Sequence, residues 1–338
     1  MEHDAGIDVA LERSSVGVVD GGGKIVAEAK VTSEPEALVA WLQAQPFDLA
    51  RIGLEAGPLS QWLFAGLRDA GFAAELLETR HVRAAFKTMP VKTDKKDARG
   101  IAQLMRLGWF KPVHCKSLAA QETRALLTAR KLLQAKRHDV EMNLRGVLRG
   151  FGLKVGPTTP KSFEKRVREL VEGHPTLETV AEALLSARAE LLRRFKELEK
   201  RLVAVGRDDA RVRRLTTVPG VGNLVALTFV AAIDDPTRFR RSRQVGAYYG
   251  LTPSRYQSGE TDVSGRISKI GDHGVRMMLY EAANVMLTRM KTPSTLRDWA
   301  LGVAKRAGPR KAPRRSADRR CFAVGSRGLL ARDGRARP

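Results

Sequence analysis

Apolar and polar residues alternate along the first part of the chain in a way that predicts three short β-strands. The segments AGIDVA (residues 5–10) and SVGVVD (residues 15–20) are rich in apolar and β-branched residues, and KIVAEAKV (residues 24–31) alternates. The run DGGGK before the third segment is a strong turn signal, and polar residues follow at Thr32. The pattern therefore predicts an antiparallel meander at the start of the chain.

The next segments alternate between helical and strand-like patterns. A predicted helix at EPEALVAWLQAQ is followed by a strand at RIGLEA, a helix at PLSQWLFAGLRDAG, a strand at AAELLE and a helix that starts near Thr93. The order is βββαβαβα. Antiparallel strands followed by alternating helices and parallel strands are typical of the ribonuclease H-like arrangement. The fold class expected for residues 1–115 is therefore α/β and RNase H-like.

Two long helical patterns occupy residues 116–207. The first runs from Ser117 to about Gly150 and ends in the helix-breaking sequence GFGLKVGPTTP. The second begins after Pro175, and its apolar residues recur every three or four positions, as in heptads with one stutter. This pattern indicates either a coiled-coil-like seam between copies of the chain or an amphipathic helix that packs on its own domain. The apolar stripe consists of Leu177, Val180, Leu184, Ala187, Leu191, Phe195, Leu198, Leu202 and Val205.

Residues 208–304 begin with a change of composition and are expected to form a mainly helical domain. The sequence Pro-Gly-Val-Gly at residues 219–222 predicts a tight turn, and an apolar helix follows it. In helix-hairpin-helix DNA-binding proteins, such a turn exposes backbone N–H groups at a helix start, where a phosphate can bind. The basic stretches RVRR and RFRRSR on either side favour phosphate contact over a purely structural turn.

The charge of the chain narrows the class of partner. The chain contains 60 Lys and Arg against 37 Asp and Glu, a formal net charge of +23. A soluble chain this basic favours a polyanionic partner, of which nucleic acid is the most common. The two cysteines, Cys115 and Cys321, lie far apart in sequence, and the first residues lack a signal-peptide pattern. The cysteine spacing favours a reducing environment, and the absence of a signal-peptide pattern favours a cytoplasmic location.

Four acidic residues are candidates for chemistry because of their surroundings. Asp8 lies inside the apolar segment GIDVA, and Glu55 ends the strand-like IGLEAG, where α/β proteins place their sites. Asp94 and Asp97 lie three apart in PVKTDKKDARG, so a helix would present both on one face. Converging carboxylates would suit one or two Mg²⁺ ions, as phosphodiester cleavage requires. The alternative is that Asp8 is a solvent-facing strand end and that residues 94–97 are a solvated helix start.

The segments GIDVA, GLEAG and KTDKKDA resemble the Asp-Glu-Asp-Asp set of the DEDD transposases of bacterial insertion sequences, whose N-terminal domain is similar to RuvC. The segment from TTVPGVG to ANVML, at residues 216–287, resembles the C-terminal transposase domain of that family. The resemblance implies a RuvC-like domain in which Asp8, Glu55, Asp94 and Asp97 hold Mg²⁺. It also implies a DNA transposase or recombinase activity.

The same resemblance implies a serine nucleophile. The family serine lies in a GLxPxxxxSG context, which here reads GLTPSRYQSG and identifies Ser258. Ser254 and Ser264 are the alternatives, and without the resemblance Ser258 would be interpreted as a turn residue before Gly259. Some members of the family are guided by a noncoding RNA that bridges donor and target DNA. The implied partners are donor and target DNA, a guide RNA and further copies of the chain.

The resemblance ends near residue 304. Residues 305–338 carry twelve Lys or Arg and two Asp with no sustained helical period, where the family has an apolar helix. A frameshift or an unstructured nucleic-acid-binding tail would explain this segment. Three functions remain open: a transposase, a RuvC-like structure-selective endonuclease that uses water, and an inactivated nucleic-acid-binding copy.

Three structural expectations follow from this interpretation. The four acids should converge in one metal-binding pocket of the N-terminal domain. The chain should form an oligomer, joined partly by the helices between residues 116 and 205. Ser258 should reach the acidic pocket of another copy of the chain, because a nucleophile and its metal site must meet at one phosphate.

Overall fold

The structure, a computed structural model, describes residues 2–87, 93–291 and 293–308. Contacts within the chain divide it into two units, with the boundary between Lys116 and Ser117. Within the described ranges, no helix is both long enough and apolar enough to cross a membrane. The predicted tail from residue 309 onward lies outside the described residues, and so do residues 90–92 of the lysine-rich segment before Asp94.

A five-stranded mixed sheet forms the centre of the first unit. Its strands are β1 (His3–Asp8), β2 (Arg13–Asp20), β3 (Ile25–Thr32), β4 (Leu49–Glu55) and β5 (Ala74–Leu77). The strand order is β3-β2-β1-β4-β5, with antiparallel pairing from β3 to β1 and parallel pairing from β1 to β5. The predicted meander followed by parallel strands is confirmed, and with it the expected ribonuclease H-like order of the sheet.

Helices cover both faces of this sheet. They are α1 (Pro35–Gln43), α2 (Ser60–Asp69), α3 (Thr79–Phe86) and α4 (Asp94–Arg106). Leu38 of α1 and Leu63 of α2 join Ile7 and Val18 of the strands in the core on one face. Because strand side chains alternate between faces, the neighbouring positions point to the opposite face, against which α4 packs.

In the described part of the second unit, the strands are β6 (Pro253–Ser258) and β7 (Thr261–Ile267), which form a two-stranded ribbon among helices. The two long helices that the sequence predicts are confirmed as α5 and α7. The sequence pattern does not predict α6 or the ribbon. The helices are α5 (Leu118–Gly150), α6 (Phe163–Val171), α7 (Pro175–Asp208), α8 (Ala210–Thr216), α9 (Asn223–Ile233), α10 (Arg243–Tyr248), α11 (His273–Thr288) and α12 (Thr295–Ala307).

The apolar stripe of α7 is used partly inside the chain. The guanidinium of Arg130 on α5 lies 4.7 Å from the ring centroid of Phe195, and its Nε donates a hydrogen bond to Glu199 at 3.0 Å. The first turns of α7 pack with the end of α5 and with α6 in one core. Val180 and Ala187 of the stripe are exposed. Packing within the chain therefore accounts for part of the stripe, and the oligomeric seam stays a prediction.

The predicted glycine turn joins α8 to α9. Gly220 has a φ of +76°, a conformation that favours glycine, and Gly222 is the N-cap residue of α9. Helix α9 is the apolar helix that the sequence predicts, and Ala226, Leu227 and Phe229 on it are buried. The turn therefore has the expected position at a helix start, and its phosphate-binding role stays a prediction.

Candidate active site

One row of residues across the sheet of the first unit contains the predicted acids of β1 and β4. Asp8 pairs with Ser15 of β2, and Ser15 pairs with Lys30 of β3. On the other side of β1, the parallel register makes Asp8 and Glu55 neighbours at the ends of their strands. These four residues, Lys30, Ser15, Asp8 and Glu55, are referred to below as the Asp8 row.

The Asp8 row faces helix α4. Gly6 and Gly17 lie two residues from Asp8 and Ser15 in the same strands, and alternate residues of a strand share a face. A Cβ atom on Gly6 would clash with the backbone carbonyl of Ala98 on α4. Glycine at this position lets the helix backbone approach the sheet closely. The close approach brings the start of α4 to the end of the sheet where the Asp8 row lies.

The first turn of α4 contains Asp97. Thr93 caps the helix, because its side chain accepts a hydrogen bond from the backbone N–H of Lys96 at 3.3 Å. Asp97 is buried, with 9% of its surface exposed, and it directly precedes Ala98, the residue that lies over Gly6. A carboxylate in the first turn also interacts favourably with the helix dipole. Asp97 therefore belongs to the face and the end of the sheet that carry the Asp8 row.

Asp94, the fourth predicted acid, lies at the rim of this arrangement. Its side chain is exposed, and Nζ of Lys30 lies 3.5 Å from its Oδ2 atom. Lys30 belongs to the Asp8 row, so this ion pair links the row to α4. The structure thus brings Asp8, Glu55 and Asp97 to one face and one end of the sheet, with Asp94 at the edge. The predicted convergence of all four on one metal stays a prediction.

Two basic side chains of α4 form ion pairs with the sheet beside the Asp8 row. Nη2 of Arg99 donates a hydrogen bond to Glu28 of β3 at 2.8 Å, and Nζ of Lys95 lies 2.9 Å from the same carboxylate. The hydrogen bonds from Arg99 and from Lys95 outweigh the effect of burial and lower the pKa of Glu28 to about 2. Glu28 is therefore ionised at neutral pH and holds α4 in place over the sheet.

The donor atoms at this end of the sheet suit a hard divalent cation. Among the described residues, no three Asp, Glu, His or Cys side chains are arranged so that they could already hold a metal ion. Mg²⁺, however, usually binds one or two carboxylates and completes its shell with waters and substrate phosphates. Asp8 and Glu55, with Asp97 on the helix that covers them, supply oxygen ligands of this kind. The residues therefore fit Mg²⁺ without a preformed cage.

Ser258, the predicted nucleophile, lies in the second unit. It ends β6 and pairs with Thr261 of β7 across a two-residue turn, in which Gly259 has a φ of +56°. All residues of the two strands are exposed, so the tip of the ribbon is open to a large substrate. The alternative Ser254 donates a hydrogen bond from its hydroxyl to the backbone carbonyl of Arg266 at 3.1 Å.

The third serine, Ser264, pairs with Arg255 in the body of the ribbon rather than at its tip. A cross-strand ion pair between Arg255 and Asp262, with Nε to Oδ1 at 2.7 Å, joins the two strands. The ribbon is difficult to predict because both of its faces are exposed, so no alternation of apolar and polar residues marks it. The available signal is the Gly259-Glu260 turn between two short polar segments.

Sequence reasoning missed two features of the first unit. Gly6 and Gly17 stand inside apolar strands, a signal of close backbone approach that the segments GID and VGV carry. Ser15 has no sequence signal except its place opposite Asp8 in the predicted meander. Its burial and its position in the Asp8 row are visible only in the folded sheet.

The chain is similar to known transposases over most of its length. Residues 5–152 match the DEDD transposase family of the IS110 type, and residues 212–300 match the transposase IS116/IS110/IS902 family. The transposase for insertion sequence element IS1111A of Coxiella burnetii is 28% identical over 317 residues, which cover 91% of this chain and 84% of the relative. The transposase for insertion sequence element IS1328 of Yersinia enterocolitica is 26% identical, over 75% of this chain and 76% of the relative.

Among solved structures, the Thermus thermophilus RuvC structure is similar to 33% of this chain, and the similarity covers 99% of the RuvC chain, at 18% identity and a TM-score of 0.25.

The two matched transposase segments divide the candidate residues between them. The first contains Asp8, Glu55, Asp94 and Asp97, and the second contains Ser258. Two domains of one family, together with transposase relatives along most of the sequence, show that the chain belongs to the IS110/IS116 family of transposases.

Proposed function

We propose that the chain cleaves and rejoins DNA strands of an insertion sequence, with Asp8, Glu55 and Asp97 as the centre of a Mg²⁺-dependent site and Ser258 as the nucleophile. Asp94 completes the acidic set from the rim. The observation that supports the proposal most directly is the position of three carboxylates on one face and one end of the sheet. Clustered carboxylates repel each other unless a cation neutralises them, so the arrangement gives little stability without a ligand.

The acids would have distinct roles because they stand on different elements. Asp8 and Glu55, at the ends of paired parallel strands, would hold the cation on a rigid base. Asp97 would approach from α4. Ion pairs from Lys95 and Arg99 to Glu28 hold this helix over the sheet. A bound Mg²⁺ would supply Lewis acidity to the phosphoryl oxygens and stabilise the charge on the leaving oxygen.

Ser258 would form the covalent link to DNA. Its Oγ atom would bond to the phosphorus of a phosphodiester, while the bond from that phosphorus to the leaving DNA oxygen breaks. The proton of the serine hydroxyl would pass to the leaving oxygen, so that a free DNA hydroxyl results. Rejoining would reverse these steps with the hydroxyl of another strand and would release Ser258 unchanged.

The proposed partners are donor DNA, target DNA, a noncoding guide RNA and further copies of the chain. The net charge of +23 supports binding to nucleic acids, and such binding weakens with salt because phosphate contacts release counterions. The glycine turn before α9, with Arg213 and Arg214 upstream, would contact phosphates as a helix-hairpin-helix element. The exposed part of the α7 stripe would join copies in a coiled-coil-like manner.

The test is cleavage of a plasmid that carries the ends of the insertion sequence, in Mg²⁺. The variant Asp8→Asn should reduce cleavage by on the order of a hundredfold or more, because it removes a charged ligand from the site. Ser258→Ala should abolish the covalent protein–DNA product. Asp69→Asn, at the exposed end of α2, and Ser264→Ala serve as controls and should retain activity. Full cleavage by Asp8→Asn would contradict the proposal.

A second function, hydrolysis by a RuvC-like nuclease, remains a candidate because the acidic site alone would suffice for it. Water would then be the nucleophile, and Ser258→Ala would leave cleavage intact. In the proposed reaction the same variant loses strand transfer. A wild-type protein that binds DNA but neither nicks nor joins it in Mg²⁺ would indicate the third possibility, an inactivated copy.

A further inference from the structure

Two adjacent serines of β2 are buried, and only one of them has a hydrogen-bond partner. Ser14 is fully buried, and its Oγ lies 2.7 Å from Oγ of Ser33 on the face that packs against α1 and α2. Ser15 is 3% exposed, and within the described residues its hydroxyl has no hydrogen-bond partner. The two residues differ in the face of the sheet to which they point, so the unpaired hydroxyl belongs to the face under α4.

The position of Ser15 is that of the candidate active site. Its cross-strand neighbours are Asp8 on β1 and Lys30 on β3. Paired residues on one face of antiparallel strands have Cβ atoms about 5 Å apart, within reach of a short hydrogen-bonding side chain. Lys30 is in turn paired with Asp94 on the first turn of α4. Ser15 therefore lies in the Asp8 row, between the candidate metal ligand Asp8 and Lys30, which forms an ion pair with Asp94.

A buried hydroxyl without a partner is unfavourable, because it has lost its hydrogen bonds to water and gained none in exchange. An alanine at the same position would have the same backbone and would avoid this loss. The hydroxyl is therefore best explained by a partner that completes its bonding only when the site is occupied. The carboxylate of Asp8 is the acceptor next to it in the row.

We propose that Ser15 is a positioning residue of the acidic site. When a divalent cation binds, the Ser15 hydroxyl donates a hydrogen bond to the Asp8 oxygen that faces away from the cation, and so fixes the orientation of the other oxygen toward it. Residues that orient metal ligands in this way commonly change metal affinity when they are removed. The inference rests on the proposed function, because it assumes that Asp8 is a ligand.

This role predicts that removing the Ser15 hydroxyl does not destabilise the metal-free protein but does weaken metal binding. In the absence of metal, removing the Ser15 hydroxyl removes an unsatisfied group, so the melting temperature should stay the same or rise. In the presence of metal, the same change should weaken binding. A hydroxyl with a purely structural role would show the reverse, a lower melting temperature and an unchanged metal affinity.

The experiment measures Mn²⁺ binding to the full chain by titration calorimetry, without nucleic acid, together with the melting temperature of the metal-free protein. Ser15→Ala should raise the dissociation constant for Mn²⁺ about tenfold without lowering the melting temperature. Ser15→Cys, which keeps a similar shape but donates weakly, should also bind more weakly than wild type. Ser14→Ala is the matched control, which should lower the melting temperature and leave Mn²⁺ affinity unchanged.

The variant Asp8→Asn separates the possible failures. If Asp8→Asn loses Mn²⁺ binding while Ser15→Ala binds as wild type does, the role of Ser15 is wrong and the acidic site stands. If Asp8→Asn binds as wild type does, Asp8 is not a ligand and the proposed acidic site is wrong. If wild type does not bind Mn²⁺ in the absence of nucleic acid, Ser15 orients no ligand in the protein alone, and the inference is overturned while the cleavage test still decides the acidic site. A loss of melting temperature in Ser15→Ala equal to that in Ser14→Ala would show a structural partner, such as a buried water, and would also overturn the inference.

Discussion

Three glycines of the sheet lie under α4, and they differ in how much room each would leave for a side chain. A Cβ atom on Gly6 would clash with backbone atoms of Ala98 and Ala102, which cannot move without shifting the helix. On Gly53 it would meet side chains, the flexible Met105 at 2.7 Å and Ile101 at 2.9 Å, rather than helix backbone. On Gly17 it would lie 3.4 Å from the nearest helix atom. Of these three glycines, only Gly6 would clash with the helix backbone, whereas a Cβ atom on Gly17 would make an ordinary contact with it.

This difference gives a paired mutational prediction. Gly6→Ala should lower the free energy of unfolding by about 3 kcal/mol, because a methyl group cannot fit against the helix backbone without strain. It should also weaken Mg²⁺-dependent cleavage, since α4 carries Asp97. Gly17→Ala, its cross-strand neighbour, should change the unfolding free energy by less than about 1 kcal/mol. Urea denaturation of both variants measures the effect, and equal losses would show that α4 does not rest on Gly6.

The sequence predicts the charged residues of the candidate site better than the neutral ones. Asp8 and Glu55 are conspicuous because a carboxylate inside or at the end of an apolar strand needs an explanation. Ser15 is inconspicuous in the sequence, because nothing in its neighbours marks it. Among the described residues, what distinguishes it from Ser14 is the register, which pairs it with Asp8, and the lack of a hydrogen-bond partner for its hydroxyl.

Among the elements, α4 combines structural and candidate functional roles within its first two turns. Thr93 caps its start, and Lys95 and Arg99 join it to Glu28 on β3. Asp97, in the first turn of the same helix, is buried. The lysines that surround the acids in the sequence are thus in part the anchors of the helix. This accounts for the mixture of charges in TDKKDAR.

The anchor at Glu28 predicts a pH dependence of stability. The pKa of Glu28 falls from an ordinary 4.5 to about 2 in the folded protein, chiefly through the hydrogen bond from Arg99. A lowered pKa stabilises the folded state fully above the unfolded value of 4.5, and the contribution disappears as the pH falls toward 2. Glu28→Gln should therefore lower the unfolding free energy by about 2 kcal/mol at pH 7 and have little effect near pH 2.

Urea denaturation of wild type and Glu28→Gln at pH 7, 4 and 2.5 measures this dependence. Glu190 on α7 is the matched control, because hydrogen bonds from Arg193 and Arg194 lower its pKa to about 2 as well. It is, however, a surface residue, and exposed ion pairs contribute little. Glu190→Gln should therefore leave stability nearly unchanged at every pH. A constant difference between Glu28→Gln and wild type across the pH range would exclude the anchor.

The elements that the sequence does not predict are short or lack an apolar face. Helix α3 buries only Val82 and follows β5 directly, so its pattern is not distinguishable from a loop. Helix α6 buries Phe163, Val167 and Val171 at a spacing of four, a usable signal that is only nine residues long. By contrast, α5 and α7 each extend over more than thirty residues, and their periodicity is unambiguous.

In the whole molecule, the candidate residues are divided between the two units. The acids precede Lys116, and Ser258 follows Ser117, with α5 and α7 between them in sequence. Helix α5 alone has 33 residues, a length of about 50 Å. The proposed reaction requires the serine and the cation at one phosphate. The two groups must therefore meet either within one chain or between two chains.

We expect the second arrangement, because a site that is complete only after assembly would keep a DNA-breaking enzyme inactive until its partners are bound. Mixing Asp8→Ala with Ser258→Ala tests it. If Ser258 of one chain serves the acids of another, a mixed oligomer contains one site with an intact serine and intact acids, and the mixture should regain part of the wild-type cleavage. Each variant alone should remain inactive, which is the necessary control.

Sites formed within a single chain give the opposite result, because every chain in the mixture then lacks either its acid or its serine. An inactive mixture would therefore exclude shared sites, provided that light scattering shows that the two variants associate as wild type does. If they associate and the mixture stays inactive, the oligomer forms without sharing its sites. Catalysis would then require Ser258 to reach the Asp8 row of its own chain.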